Sequence, residues 1–101
     1  MQEIYVMYAE LGYEHPKVFI EPDAINNPKA QSMAIWYFKN WLMNTFRIAT
    51  FIHEYDDKYT WEAYGSEFYQ YSDTEFKSEN EAYEDLFINV LGKLKLLKKK
   101  N

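Results

Sequence analysis

Residues 47–71 read RIATFIHEYDDKYTWEAYGSEFYQY, and their side-chain character repeats at every second position instead of every third or fourth. RIATFIHEY is rich in β-branched and aromatic residues, YDDKY is a turn signal, and YTWEAYG alternates again. Gly65-Ser66 breaks the second run, and EFYQYSD supplies a third. The natural product is an antiparallel meander. Side chains alternate across a strand, so Ile48, Thr50 and Ile52 face one way and Ala49, Phe51 and His53 the other.

Upstream, NPKAQSMAIWYFKNWLMNTF predicts a helix with a defined start. Asn27 can cap it, and Pro28 takes a first position that needs no N–H. Ala30, Ala34, Phe38, Trp41, Leu42 and Phe46 form its inward stripe. Trp36, Lys39, Asn40 and Met43 fall outside that stripe and predict an exposed aromatic edge. Downstream, Ser78 and Glu81 make a capping box, and acids crowd the positive end of the helix that follows. Tyr83, Phe87, Val90, Leu94 and Leu97 continue it at helical spacing. Gly92 is expected to interrupt or end the regular helix, leaving residues 93–101 as a frayed basic tail.

The N-terminal part has two readings. Ile4, Val6 and Tyr8 alternate with Tyr5, Met7 and Ala9, which suits a strand, and Val18 to Ile20 suits another; Gly12 and His15-Pro16 mark a turn between them. A short helix over residues 2–11 is the competing reading, since Met, Ala, Glu and Leu favour helices. With the strands, the order is β-β-α-β-β-β-α. The expected fold is α+β, a two-layer sandwich in which two helices cover one face of an antiparallel meander. Nothing in the 101 residues marks a linker, so residues 1–101 read as a single domain.

Composition narrows the function. There is no Cys, which excludes disulfides and thiol chemistry. The longest apolar run, Met33 to Phe38, is too short to span a bilayer, and no basic-then-apolar leader opens the chain, so a cytoplasmic protein without membrane contact is expected. The net charge of −5 is unevenly laid out. Residues 47–91 hold eleven acids against Arg47, Lys58 and Lys77, a local −8, whereas residues 92–101 hold five Lys and no acid. Carboxylates repel phosphate, so direct DNA binding by the body is disfavoured.

No constellation names a reaction. His53, Glu54, Asp56 and Asp57 come nearest to a metal set, but adjacent strand residues point to opposite faces, and Asp is a common turn residue. Acids are too abundant to single out a catalytic pair. No nucleophile motif or phosphate-cradling glycine loop is present among three Gly. No catalytic residue, metal or cofactor is therefore expected. What stands out is the aromatic content, 20%, with ten Tyr. If Trp61, Ala63 and Phe68 pack inward, Glu62, Tyr64, Tyr69 and Tyr71 share the uncovered face; the opposite register exposes Trp61 instead. Aromatic residues suit strands for packing reasons alone, and acids keep a sheet soluble. Clustered Tyr among carboxylates nonetheless makes a contact surface, with Glu62, Tyr64, Glu67, Tyr69, Tyr71 and Asp73 as its candidate partner-binding residues.

AIWYFKNWL (residues 34–42), YTWEAYG (residues 59–65) and SENEAYEDLFINVL (residues 78–91) give the chain a layout that resembles small accessory proteins of phages and prophages, in which an aromatic helix precedes a short meander and an acid-capped helix. The resemblance covers residues 28–98 and carries over no catalytic residue. It implies a mobile-element protein of the class that includes anti-CRISPR and other counter-defence inhibitors. The partner would be a host protein with a basic surface, such as a CRISPR effector or other nuclease, in the cytoplasm of the bacterial host. Carboxylates would stand in for phosphates and rings for stacked bases. The alternative is a small-ligand or nucleotide-binding module acting as a homodimer that traps its ligand between paired sheet faces.

Overall fold

A computed structural model describes residues 2–15 and 27–100, and within them the chain forms three helices and one three-stranded antiparallel sheet, an α+β fold. The described elements follow the order α-α-β-β-β-α. The expected opening strand is corrected: Gln2–Glu10 is a helix, α1. Ile4, Tyr8 and Leu11 recur at spacings of four and three, and all three are buried, whereas Val6 is 53% exposed. A helical stripe therefore overrides the alternation. Gly12, at φ +103°, ends α1 rather than joining two strands. Its N–H donates to the Ala9 carbonyl at 3.0 Å, and the Tyr13 N–H reaches back to Tyr8 at 3.0 Å. These two bonds are the Schellman pattern, and the apolar contact that accompanies it is supplied by Tyr13 edge-on to Tyr8 at 5.6 Å. The second expected strand, Val18 to Ile20, lies outside the described residues.

Helix α2 (Pro28–Phe46) starts as its sequence dictates. Asn27 Oδ1 accepts from the Lys29 and Ala30 N–H groups at 2.9 and 3.2 Å. Its buried face is Ala34, Ile35, Phe38 and Leu42. Phe46, assigned to the inward stripe, is exposed, and Trp36 and Met43 form the expected uncovered edge. Arg47 adopts the left-handed conformation (φ 58°, ψ 38°) and turns the chain into β1 (Ala49–Tyr55).

Asp56 and Asp57 both have positive φ, 51° and 60°, and so make a two-residue type I′ turn whose twist matches the flanking strands. That turn fixes the register, from Tyr55 opposite Lys58 to Ala49 opposite Tyr64 in β2 (Lys58–Gly65). Ser66 and Glu67 connect β2 to β3 (Phe68–Tyr71), which pairs from Gly65 opposite Phe68 to Glu62 opposite Tyr71. The sheet order is β1-β2-β3. Gly65 is needed where β2 passes under the end of α2: a Cβ there would lie 2.9 Å from the Arg47 carbonyl oxygen.

Helix α3 (Glu79–Lys100) opens on the capping box. Ser78 Oγ accepts from the Glu81 N–H at 3.2 Å, while Glu81 Oε2 reaches one residue further back, to the Lys77 N–H. The expectation that Gly92 ends the regular helix is also corrected, because α3 runs through it to Lys100. Leu91 and Leu94 on either side are buried, and Lys95 pairs with Glu10 of α1, so tertiary contacts carry the helix past its weakest residue.

The core lies where these elements meet. Tyr8 is at its centre, stacked on Phe38 at 4.0 Å and edge-on to Trp41 and Phe87. Its hydroxyl donates to the Phe38 carbonyl at 3.3 Å. Burial pushes the Tyr8 hydroxyl pKa well above its ordinary value, with the nearby Tyr13 adding to the effect. From the sheet, Trp61 and Ala63 enter the same cluster, and Trp61 Nε1 donates to Asp85 Oδ2 of α3 at 2.8 Å. This bond ties β2 to α3.

Candidate functional site

With Trp61 and Ala63 turned into the core, pleating places Glu62 and Tyr64 on the opposite side of β2. Directly opposed residues of an antiparallel pair share a face. The register therefore brings Phe51 and His53 of β1, Thr60, Glu62 and Tyr64 of β2, and Tyr69 and Tyr71 of β3 onto one surface. Phe51, Tyr64, Tyr69 and Tyr71 are between 41% and 61% exposed. Their rings form a chain across all three strands. Phe51 stacks on Tyr64 at 5.3 Å, Tyr64 meets Tyr69 at 6.4 Å, and Tyr69 meets Tyr71 at 5.7 Å.

Glu62 sits at the middle of the surface and is held from both sides. His53 Nε2 donates to its Oε1 at 2.7 Å from β1, and the Tyr69 hydroxyl donates to its Oε2 at 2.8 Å from β3. Both contacts are diagonal neighbours on the face, a separation that long side chains can bridge. The His53 hydrogen bond, followed by that of Tyr69, holds the Glu62 carboxyl below its ordinary pKa. The same bond to Glu62 raises the Tyr69 hydroxyl, since it favours the protonated phenol. The result is an anionic oxygen pair fixed among exposed rings.

Of the six candidate residues, Glu62, Tyr64, Tyr69 and Tyr71 come together on this face. Glu67 lies in the turn between β2 and β3, and Asp73 lies beyond the end of β3, so these two carboxylates stand at the rim. His53 and Phe51 are the members that the candidate set missed. Their signal was the Asp56-Asp57 turn: once it is counted as a two-residue loop, His53 falls diagonal to Glu62, and Phe51 diagonal to Tyr64.

Among the described residues no group of three or more His, Asp or Glu could hold a metal ion. The described concavities lie around Lys39, and two of them reach Phe51 at the β1 border of the ring surface. One, of about 310 Å³, runs between α2 and the outer side of β1, lined by Trp36, Met43 and Phe51 among others. A second, of about 300 Å³, lies beside Tyr59 and Tyr83. Lys39 Nζ stands 5.3 Å from the centre of the Tyr83 ring between them. No described helix is long and apolar enough to cross a membrane. Compared with protein-family models, curated proteins and solved structures, the chain has no significant match.

Proposed function

We propose that this chain is a non-catalytic binding protein whose uncovered sheet face docks on a cationic surface of a partner. The fold underlying this reading is a two-layer sandwich, helices on one side of the meander. The smallest dimension of 19 Å supports it, being close to one helix layer on one sheet layer. The observation that carries the reading is the row Phe51, Tyr64, Tyr69 and Tyr71, exposed around a carboxylate fixed by two hydrogen bonds. Rings already in contact lose little rotamer freedom on binding, and aromatic centres with charged rims are the usual anatomy of an interface. Glu67 and Asp73 supply that rim.

The partner class follows from charge. The surface offers rings for stacking and a negative centre at Glu62, so phosphate is a poor ligand and a phosphate-binding groove a good one. In this proposal the protein belongs to a phage or other mobile element. It occupies the basic channel of a nucleic-acid-handling effector of the bacterial host, in the manner of an anti-CRISPR inhibitor. The test is affinity capture from host lysate followed by reconstitution with the purified partner. The expected result is a stoichiometric complex that weakens with salt, blocks the partner's nucleic-acid binding, and is lost in the Tyr64→Ala, Tyr69→Ala, Tyr71→Ala triple variant. Equal capture of the partner by that variant refutes the assignment of the face.

A further inference from the structure

The sheet has a second feature that the ring surface does not use, the outer edge of β1. The backbone bonds of β2 show where that edge points. Tyr59 exchanges two bonds with Phe76, each 2.8 Å. The Trp61 carbonyl accepts from the Ser72 N–H at 3.0 Å, and the Trp61 N–H donates to Ser72 Oγ. Tyr59 and Trp61 therefore direct both main-chain groups away from β1. Their partners across the pair, Glu54 and Ile52, sit in the non-hydrogen-bonded positions of the ladder. It follows that Glu54 and Ile52, with Thr50 at the same phase, aim their N–H and C=O groups outwards. Among the described residues β1 pairs with β2 alone.

Natural edges usually carry a device that blocks further pairing, such as Lys, Pro or a bulge. ATFIHEY has none of these over seven residues. Beside it lies the groove of about 310 Å³ in which Trp36 and Met43 of α2 flank the strand, and Trp36 is 61% exposed. An open edge is thus combined with an apolar flank.

We propose that β1 pairs antiparallel with β1 of a second copy of this chain, about a two-fold axis through Ile52, to make a continuous six-stranded sheet. This register matches every outward residue with another: Thr50 opposite Glu54 of the second copy, Ile52 opposite Ile52, and Glu54 opposite Thr50. Three such pairs exchange about six main-chain hydrogen bonds. Shifting the axis by one residue in either direction leaves at least one outward residue facing a turn or the end of α2. Charge agrees. Residues 47–57, which the register pairs, carry one cation, Arg47, and three anions, Glu54, Asp56 and Asp57. The register sets no like charges opposite each other, and it carries Arg47 opposite Asp57 of the second copy, twice by symmetry. The second copy also roofs the Trp36 groove. The two ring surfaces then lie side by side on one sheet. This pairing is independent of the partner reading above, because it uses the edge and leaves the face free.

Sedimentation velocity on the full chain, with hydrogen exchange over a concentration series, tests the pairing. A species of twice the chain mass is expected, in which the amides of Thr50, Ile52 and Glu54 slow as concentration rises. Thr50→Pro removes an outward N–H that β2 does not use, so the helical and sheet circular dichroism should persist while dimerisation weakens about tenfold or more. Trp36→Glu, on a different element, should weaken it comparably. A single-chain mass at all concentrations overturns the proposal. So does a dimer that survives both variants, or one that dissociates only on Tyr69→Ala and Tyr71→Ala, which would pair by its faces.

Discussion

Alanine substitutions along α1 separate its two sequence readings by energy. On a strand, Ile4, Val6 and Tyr8 would share a face, and their truncations would cost similar amounts. On the observed helix, Ile4 and Tyr8 are buried and Val6 is exposed. Tyr8 has three aromatic neighbours from α2 and α3, at centroid distances of 4.0, 5.5 and 5.7 Å. Removing a fully buried aromatic ring costs about 3–5 kcal/mol, since transfer and cavity terms add. A chain of 101 residues has a total stability of about 5–15 kcal/mol, so Tyr8→Ala removes a large share of it. Ile4→Ala should cost about 2–5 kcal/mol. Val6→Ala should stay within about 0.5 kcal/mol of the parent. Tyr8→Phe isolates the hydroxyl. Its 3.3 Å bond is longer than usual for O–H···O, so the loss lies near the low end of the range, at about 0.5 kcal/mol. Urea unfolding followed by circular dichroism reads all four. At slopes of about 1–3 kcal/mol per molar, the Tyr8→Ala midpoint falls by roughly 1 M or more. A Val6→Ala cost equal to that of Ile4→Ala, or a Tyr8→Ala cost under about 1 kcal/mol, would refute the docking of α1 through this face.

Three further outcomes are expected. Asp57→Gly relieves a left-handed non-glycine residue in the I′ turn and should raise the unfolding free energy by about 0.5–1 kcal/mol; a decrease in thermal melting would contradict the turn geometry. Gly65→Ala drives a Cβ to 2.9 Å from a main-chain oxygen that cannot swing aside, and should destabilise by about 1–3 kcal/mol in denaturant titration. The depressed Glu62 pKa adds stability that is present in full above the unfolded carboxyl value and is lost as pH falls through the folded one. In Glu62→Gln the acid limb of the stability–pH curve should therefore flatten, and an unchanged limb would show that the His53 and Tyr69 bonds do not hold in solution.

The meander was legible because three signals agreed. The period of two, the Asp56-Asp57 pair and the Gly65-Ser66 break all require short antiparallel strands, and β1 to β3 fall where they point. The start of α2 was equally clear, since Asn27 and Pro28 act locally and need no tertiary help. The beginning of the chain was ambiguous for a physical reason. Over nine residues, Ile4-Val6-Tyr8 and Ile4-Tyr8-Leu11 are both apolar sets, and only packing against Phe38 and Phe87 decides between periods of two and 3.6. Gly12 and Gly92 show the same limit from opposite sides. One caps a helix although its sequence context suits a turn. The other has the character of a stop, and buried leucines carry the helix through it. On the ring surface, an inward Trp61 is enough to place Tyr64, Tyr69 and Tyr71 together. The role of His53 required the pairing register as well, because a diagonal contact across two strands leaves no trace in linear spacing.

The docking of α1 also bears on how the chain is made. Synthesis delivers residues 2–10 before the later helices, yet the side chains that pack on Tyr8 come from α2 and from α3, which begins only at Glu79. A nine-residue helix is marginal by itself in water, so on the ribosome this segment must wait, its tyrosines unsheltered, until nearly all of the described chain has emerged. Nascent chains arrested before Phe87 should accordingly be cut by protease near Tyr5 and Tyr8, and those released after α3 is complete should resist.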